Sequence, residues 1–272
     1  MTDIRHVLGG GLLGMVLLLP GGAAAAPTGA EIVQRCDLET YAGDDQRSRL
    51  TVILRDVAGN TKKTVYRRYW KFYGSNAKII EKMMLFTEFP PDARGTGFMR
   101  WSYRPDLGRN ADQWLYLPSL NTIRRVSVRD PGDSFLGSDL TYQDISLRPL
   151  DRDEHRLLRT ENKGGRQYYV VESTPKEQKP LYGKLVSWYE AAPDWADCNK
   201  VRVEYFDAGG SLLKVQNLRW QKVDSAWVWD EVTVDNLRTG HSSLFRVTDV
   251  EVNVGLKDRL FKERTLRRGI RE

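Results

Sequence analysis

Apolar and polar residues alternate in short runs along most of this chain, from Arg49 to about Val252. Turn residues separate the runs, among them Gly59-Asn60, Gly164-Gly165 and Asp207–Gly210. A period of two places successive side chains on opposite faces of a strand, and short turns join such strands into antiparallel hairpins. The pattern therefore predicts about a dozen strands in an antiparallel sandwich, barrel or curved sheet. Strands and helices do not alternate, which argues against a parallel nucleotide-binding sheet.

Helical segments are predicted only at the two ends of this strand-rich region. Residues 28–41 favour a short helix in which Thr28 is the N-cap and Glu31 is its capping-box partner. The segment Leu256–Arg268 indicates either a last helix or an extended packed segment. The residues expected to face inward there are Leu256, Leu260, Phe261 and Leu266.

The segment Asp130–Asp153 breaks the alternation. It contains Pro131, Gly132 and Gly137 together with several apolar and acidic residues. We expect a long loop with one or two helical turns that lies over the sheet. Long loops inside a domain are more often functional than incidental.

Aromatic residues occupy both faces of several predicted strands. In the run Gln113–Leu117, Trp114 and Tyr116 point one way while Leu115 and Leu117 point the other. An ordinary antiparallel sheet leaves one face polar, so both faces must be covered here. A closed core accounts for one face. The other is covered either by helices alone or by helices together with an apolar ligand.

The N-terminus has the layout of a secretory signal peptide. Arg5 precedes an apolar stretch from Val7 to Leu19, and the small residues Ala23–Ala26 supply a cleavage site. The apolar stretch is shorter than the roughly 20 residues that a membrane-spanning helix needs. We therefore assign residues 1–26 to the signal peptide and residues 27–272 to one exported, soluble domain.

Charge gives a weaker indication. The net charge is +6, and the basic residues are spread along the chain except for Arg264, Arg267, Arg268 and Arg271 near the end. No nucleic-acid-binding motif accompanies this charge, so nucleic acid is not expected as a partner. Acidic lipid headgroups at a membrane surface fit a modest positive charge.

The chain contains two cysteines, Cys36 and Cys198. An even number of cysteines in an oxidising compartment suits a disulfide, which would tie the N-terminal helix to a distant strand. The alternative is two buried free thiols. Only the distance between the two cysteines decides between a disulfide and free thiols.

Residues for catalysis or metal binding are few. After residue 26 the only histidines are His155 and His241, and neither has metal-ligand spacing. The string Gly132-Asp133-Ser134 is similar to the start of a lipase motif, but the C-terminal Asp-x-x-His pair of those enzymes is missing. The acids of the loop lack the alternate spacing of a calcium site; they are Asp130, Asp133, Asp139 and Asp144. We expect no enzyme activity, no metal and no cofactor.

Two strings in the middle of the chain carry a family resemblance. Residues 113–126 contain W-x-Y-x-P followed by Arg124-Arg125, and residues 137–144 read G-S-D-x-x-Y-x-D. Together with Leu260-Phe261-x-x-Arg264-x-Leu266, they resemble the outer-membrane lipoprotein-sorting protein family, a branch similar to the carriers LolA and LolB.

The resemblance implies a mainly β fold: a strongly curved antiparallel sheet, or unclosed β-barrel, of about 11 strands with a few helices over its concave face. It also implies a periplasmic carrier of lipids or acylated lipoproteins, working with an efflux-type (RND/MMPL-like) inner-membrane transporter and an outer-membrane acceptor. The alternatives are an envelope assembly factor with the same fold and, less favoured, a hydrolase.

Position in the strands and the loop suggests which residues face the cargo. Arg124 and Arg125 are expected to hold acids of the loop, Asp139 or Asp144, or else to contact a headgroup. The expected cavity and lid residues are Trp101, Tyr103, Trp114, Tyr116, Phe135, Leu136 and Tyr142.

Overall fold

The structure is a computed structural model that describes residues 26–126, 132–192 and 194–270. The predicted signal peptide, residues 1–26, lies almost entirely outside this range. Among the described residues, no helix is both long enough and apolar enough to cross a membrane.

Thirteen strands are present in the described part of the chain, rather than about 11. Short turns join most of them, as predicted at Gly59-Asn60 and at Gly164-Gly165, where both glycines have positive φ angles. The strands are β1 (Asp45–Arg55), β2 (Thr61–Phe72), β3 (Ile79–Phe89), β4 (Gly97–Tyr103), β5 (Asp112–Leu117), β6 (Thr122–Val126), β7 (Asp153–Lys163), β8 (Arg166–Pro175), β9 (Lys184–Glu190), β10 (Asn199–Phe206), β11 (Leu212–Val223), β12 (Ala226–Asn236) and β13 (Ser242–Val252).

All thirteen strands form one antiparallel sheet made of two meanders, β1–β6 and β7–β13. The meanders join where β1 pairs with β13, for example Leu50 opposite Val247. The order across the sheet runs from β6 through β1 and β13 to β7. The sheet is therefore open, as the resemblance implies, with β6 and β7 as its edges. It is not strongly curled, so the predicted strong curvature is not met.

This topology fixes the course of the long loop predicted from the sequence. The loop leaves β6 at one edge and enters β7 at the opposite edge, so it must cross a face of the sheet. Residues 132–149, called the insert from here on, lie over the face that carries Leu50, Leu85 and Phe98. We call this the insert face. The described part of the loop lies over the sheet as expected, and its described residues contain one helical turn, the 3₁₀ helix Leu150–Arg152 at its end.

In the described part of the chain, helices cover only the margins of the sheet. The expected helices over the centre of one face are not found there; the insert covers that centre instead. Helix α1 (Gly29–Val33) continues as a π-helical turn, Gln34–Leu38, and packs on β7 and β8. It is shorter than predicted, although Thr28 caps it as expected by accepting a hydrogen bond from the Glu31 N–H at 3.1 Å. The remaining 3₁₀ helices are Pro91–Ala93, Pro105–Leu107, Pro118–Leu120, Trp195–Asp197 and Asp258–Leu260.

A disulfide joins the N-terminal segment to the sheet. Cys36 and Cys198 are bonded across 162 residues of sequence, and both are about 1% exposed. Ile32 and Val33 pack against the same cluster. The bond thus fixes α1 on the β7 end of the insert face.

The C-terminal segment covers the opposite face. Helix α2 (Glu263–Arg268) contacts β4, β5 and β6. Phe261 and Leu266 are fully buried, while Leu256 and Leu260 are partly buried beside them, as predicted. Leu266 lies so close to Gly97 that a Cβ there would be 2.7 Å from its Cδ1. Glycine permits this close approach of helix and strand.

Candidate binding site under the insert

The centre of the insert is an apolar plug. Phe135 and Leu140 are 5% and 0% exposed. The Phe135 ring makes edge contacts with Phe98 on β4, at a centroid distance of 6.5 Å, and with Tyr142 at 5.7 Å. Burying one such side chain contributes about 1.5–3 kcal/mol. Apolar contact therefore holds the middle of the insert on the sheet.

A first polar clamp fixes the insert to β12 and β13. The backbone N–H of Asp139 donates to the Ser243 hydroxyl at 3.0 Å, and that hydroxyl donates to the Asp139 carboxylate at 2.6 Å. The Asn236 amide donates to the other carboxylate oxygen at 3.0 Å. Asp139 is therefore bound from two strands.

A second clamp reaches β11. Lys214 Nζ lies 2.5 Å from the Asp144 carboxylate and 2.8 Å from the Asp139 carbonyl oxygen. Tyr182 donates its hydroxyl proton to Asp144 at 3.0 Å. Lys214 also lies 4.6 Å from the centroid of the Tyr205 ring, a cation–π contact. Burial raises the pKa of Tyr182, and the charge of Asp144 raises it further, so the phenol stays protonated.

A third contact ties the far end of the insert to β4. Arg100 donates to the Ser146 hydroxyl at 2.8 Å and to Glu81 at 3.0 Å. Its side chain is only 5% exposed. Burial lowers the pKa of Arg100, and the charge of Glu81 partly restores it. A buried guanidinium needs such a partner.

Glu81 accepts hydrogen bonds from several side chains. It accepts from Trp70 at 2.8 Å and from Ser102 at 2.7 Å as well as from Arg100. Arg68 lies near enough for Glu81 to raise its pKa, although burial lowers that pKa to about 10 overall. Arg100 is therefore bonded to Glu81, while Arg68 lies within reach of the same charge and donates its own hydrogen bonds to Gln46 and Ser48.

A pocket of about 240 Å³ lies between this end of the insert and strands β4 and β5. We call it the Arg100 pocket. Gln113, which pairs with Arg100 across the sheet, is 0% exposed, and neither of its amide atoms has a hydrogen-bond partner among the described residues. Arg100 Nε is unpartnered in the same way. Polar side chains in its lining include Arg100, Ser102, Arg109, Gln113, Tyr142 and Ser146.

The predicted cavity residues do not share one cavity. Phe135, Leu136 and Tyr142 belong to the insert and pack on the insert face. The strand aromatics that were grouped with them, Trp101, Trp114 and Tyr116, lie on the opposite face with Leu266. Alternation within the strands explains the division, since Phe98 and Arg100 face the insert whereas Trp101 does not.

Tyr103, at the end of β4, borders the pocket instead. It donates a hydrogen bond to Asp112 at 2.5 Å, and the Arg109 guanidinium lies 4.1 Å from its ring centroid. A larger groove of about 840 Å³ is lined by described residues between Gly255 and Ile270. None of these lining residues has a buried polar side-chain atom without a hydrogen-bond partner among the described residues.

The two arginines after the β5–β6 turn do not hold the insert acids, contrary to expectation. Arg125 bonds to Asp112 and lies 6.0 Å from the centroid of the Trp114 ring, on the face opposite the insert. Arg124 is exposed on β6. Lys214 binds Asp144 instead, and Asn236 and Ser243 bind Asp139. These partners lie on β11–β13, beneath the acids, whereas β6 is a distant edge of the sheet.

The other candidate chemical groups have structural partners. Ser134 donates to the Ser138 carbonyl oxygen at 2.5 Å within the insert. The two ring nitrogens of His155 lie 2.8 Å from the Ser173 hydroxyl and 3.0 Å from the Leu150 carbonyl oxygen. Residue 130 lies outside the described range. Across the described ranges, no three His, Cys, Asp or Glu residues are grouped as metal ligands would be.

Sequence reasoning missed the polar residues that matter most at this site: Arg100, Gln113 and Lys214. One signal was available. Arg100 and Ser102 have the same parity as Phe98 in a strand that is mostly apolar, so they had to face the same surface as that buried ring. A charge at such a position needs a partner, and a buried polar group that lacks one calls for an explanation such as a ligand.

The chain is similar in sequence and in fold to known proteins. The model of one protein family, described only as an uncharacterised-protein family, matches residues 80–268. No curated protein sequence matches the chain.

Among the solved structures that match the chain, three illustrate the shared fold. A DUF1329 family protein from Desulfovibrio piger is 28% identical, with a TM-score of 0.75, and the match covers 88% of this chain and 97% of that one. An outer membrane lipoprotein-sorting protein domain from Vibrio parahaemolyticus is 26% identical, with a TM-score of 0.71. The match covers 88% of this chain and 98% of that domain. A LolA superfamily protein from Nitrosomonas europaea is 18% identical, with a TM-score of 0.61. The match covers 88% of this chain and 99% of that one, and it shows a common fold.

Proposed function

Since this chain belongs to the family whose model matches residues 80–268 and has the fold of the outer-membrane lipoprotein-sorting proteins, we propose that it carries or binds lipids or acylated lipoproteins in the periplasm. The observation that carries the proposal is the insert itself. A loop, not a helix or a second sheet, covers the apolar centre of the insert face. Polar clamps hold its margins, at Ser243, Lys214 and Arg100.

Such a cover can open without unfolding the sheet. The strands beneath keep their backbone hydrogen bonds when the insert leaves, because the described part of the insert pairs only with itself, at Ser134 and Thr141. An acyl chain of about 16 carbons would then replace Phe135 and Leu140. At about 0.8 kcal/mol per methylene, it offers roughly 12 kcal/mol before the cost of ordering the chain. The insert is the lid in this proposal, with Leu136 and Tyr142 at its margins.

One observation favours a second function. The insert leaves no open space over the sheet at this point, since Leu140 of the insert and Phe245 of β13 beneath it are at most 1% exposed. A protein that never opens would serve as an envelope assembly factor with a permanently filled face. The two functions differ in whether the protein takes up lipid.

Native mass spectrometry of the mature protein, purified from the cell envelope without detergent, tests the carrier function. Stoichiometric bound lipid, or uptake of an added fatty-acid probe, supports it. An empty protein that takes up no probe supports the assembly factor. A Ser243→Ala variant removes one clamp and should speed uptake, whereas Ser225→Ala in the exposed β11–β12 turn should leave it unchanged.

The cellular setting is part of the proposal. The disulfide between Cys36 and Cys198 suits an oxidising compartment. N-terminal sequencing of the cellular protein should give Pro27 or a near neighbour, and an intact Met1 would contradict export. The proposed donor is an efflux-type inner-membrane transporter and the proposed acceptor lies in the outer membrane. Site-specific cross-linking from the insert in cells tests both.

A further inference from the structure

The lining of the Arg100 pocket has an unusual balance of charge and hydrogen-bonding groups. It contains two arginines, Arg100 and Arg109, and no carboxylate among the described residues. Serine, glutamine and tyrosine side chains supply further hydrogen-bond donors. A lining of this kind favours an anion with several oxygen atoms.

Two carboxylates lie next to the lining, and each is already engaged by arginine. Glu81 accepts a hydrogen bond from Arg100 at 3.0 Å, and Asp112 is bound by both Arg109 and Arg125. A third acid, Asp133, lies near enough to Tyr142 to raise the pKa of its hydroxyl. The lining itself contributes two guanidinium groups and no carboxylate among the described residues, which favours a negatively charged ligand in a partly desolvated place where charge interactions are strong.

Buried groups without partners give an independent indication. Gln113 presents an amide N–H₂ and a carbonyl oxygen with no partner among the described residues, although it is 0% exposed. Burial raises the pKa of the Tyr142 hydroxyl; the charge of Arg100 lowers it, that of Asp133 raises it and the nearby Gln113 amide lowers it. No hydrogen bond of good geometry joins Tyr142 to Gln113. A buried unsatisfied polar group costs about 1–3 kcal/mol, and a ligand that bonds to the Gln113 amide would recover that cost.

The volume sets the size of the ligand. At about 240 Å³ the pocket equals roughly eight water molecules, which is small for a drug-sized ligand and large for a single ion. Its wall on one side is the insert, through Tyr142 and Ser146. A molecule bound here thus touches the insert and the sheet together.

We propose that the Arg100 pocket binds a phosphate ester, with Arg100, Arg109 and Gln113 as its hydrogen-bond donors. The ester belongs either to the headgroup of a lipid whose chain lies under the insert or to a small soluble phosphate ester. The first source rests on the proposed carrier function. The second does not.

Isothermal titration calorimetry on the mature chain distinguishes these sources with three probes at constant ionic strength: inorganic phosphate, glycerol 3-phosphate and dihexanoyl phosphatidic acid. We expect one site for the phosphate probes. Binding of the phosphatidic acid at least tenfold tighter than that of glycerol 3-phosphate supports the lipid headgroup. Equal affinities support a soluble ester. If none of the three binds, or if acetate binds as tightly as phosphate, the proposal is wrong.

Gln113→Leu is the decisive variant. It should weaken phosphate binding at least tenfold, yet its unfolding midpoint in urea should stay equal or rise, because an unsatisfied buried amide is removed. Gln216→Leu is the matched control: this buried glutamine accepts a hydrogen bond from Tyr205 at 2.6 Å, so its loss should lower stability without changing affinity. Arg109→Gln at the half-exposed mouth should weaken binding more at low salt than at high salt.

The two proposals fail separately. Uptake of an uncharged acyl probe such as hexadecanol, together with no phosphate binding, would leave the carrier function standing and overturn the pocket. Phosphate binding that Gln113→Leu does not change would also overturn it. Phosphate binding that depends on Gln113, with no acyl uptake, would retain the pocket and overturn the carrier.

Discussion

Lys214 on β11 and Asp144 in the insert form an ion pair 2.5 Å long whose side chains are only 6% and 1% exposed. It joins a loop that crosses the sheet to a strand from the second meander. Tyr182 accompanies it as a third member. Among the ion pairs between described residues this pair is the most buried, so we expect the position of the insert to depend on it.

Asp144→Asn should lower the free energy of unfolding by about 3–5 kcal/mol, because the charge of Lys214 would stay buried without its partner. Hydrogen exchange should become faster across residues 132–147 before any strand is affected. Urea unfolding and exchange mass spectrometry measure the two effects. Glu251→Gln, which breaks the exposed pair with Arg47, should change stability by at most about 0.5 kcal/mol. Equal effects for both variants would contradict the assigned role.

Leu266 should couple energetically to Gly97. Leu266→Ala removes a fully buried side chain and should cost about 2–5 kcal/mol. Gly97→Ala introduces a Cβ 2.7 Å from Leu266 Cδ1 and should cost about 1–3 kcal/mol in the parent protein. In the Leu266→Ala background that clash disappears, so a double-mutant cycle should show a clearly smaller cost. Additive costs would mean that the contact is absent.

The disulfide should stabilise the protein by about 2–5 kcal/mol, since it closes a long loop of chain. Reduction should lower the urea midpoint and release α1 from β7 and β8. The double variant Cys36→Ser/Cys198→Ser should show the lower stability and no further response to reductant. A parent protein with the same midpoint in oxidising and reducing buffer would argue against the bond.

Glu172 should make stability depend on pH. Hydrogen bonds from Arg156 and Lys184 hold the pKa of Glu172 below 4.5, and burial opposes them only in part. The folded state therefore favours the charged form. This stabilisation is present above pH 4.5 and is lost as the pH falls through the lower folded-state pKa.

Comparison of the parent with Glu172→Gln in urea at pH 7 and near pH 3 tests this prediction. The difference should be about 1 kcal/mol at pH 7 and should shrink toward zero in acid. Glu154→Gln, at an exposed position on β7, should show little difference at either pH. A gap between Glu172→Gln and the parent that grows in acid would mean that the sign is wrong.

The sequence alone determined the local secondary structure and the requirement that both faces of the sheet be covered. Period-two alternation and turn glycines located most strands, and Thr28 marked the first helix. The aromatic and aliphatic residues of β4 and β5 required that both sheet faces be covered. These features are local because a strand's alternation and a cap's hydrogen bond involve residues only a few positions apart.

Only the tertiary structure decided what covers each face and what the site contains. Alternation shows that Phe98 and Trp101 face opposite ways, but not that Phe135 meets the first and Leu266 lies on the face of the second. The pairing of β1 with β13 made β6 and β7 the edges, and this forced the insert across the sheet onto Lys214. Such contacts join residues distant in sequence, and their energies depend on burial that exists only when the whole sheet has formed.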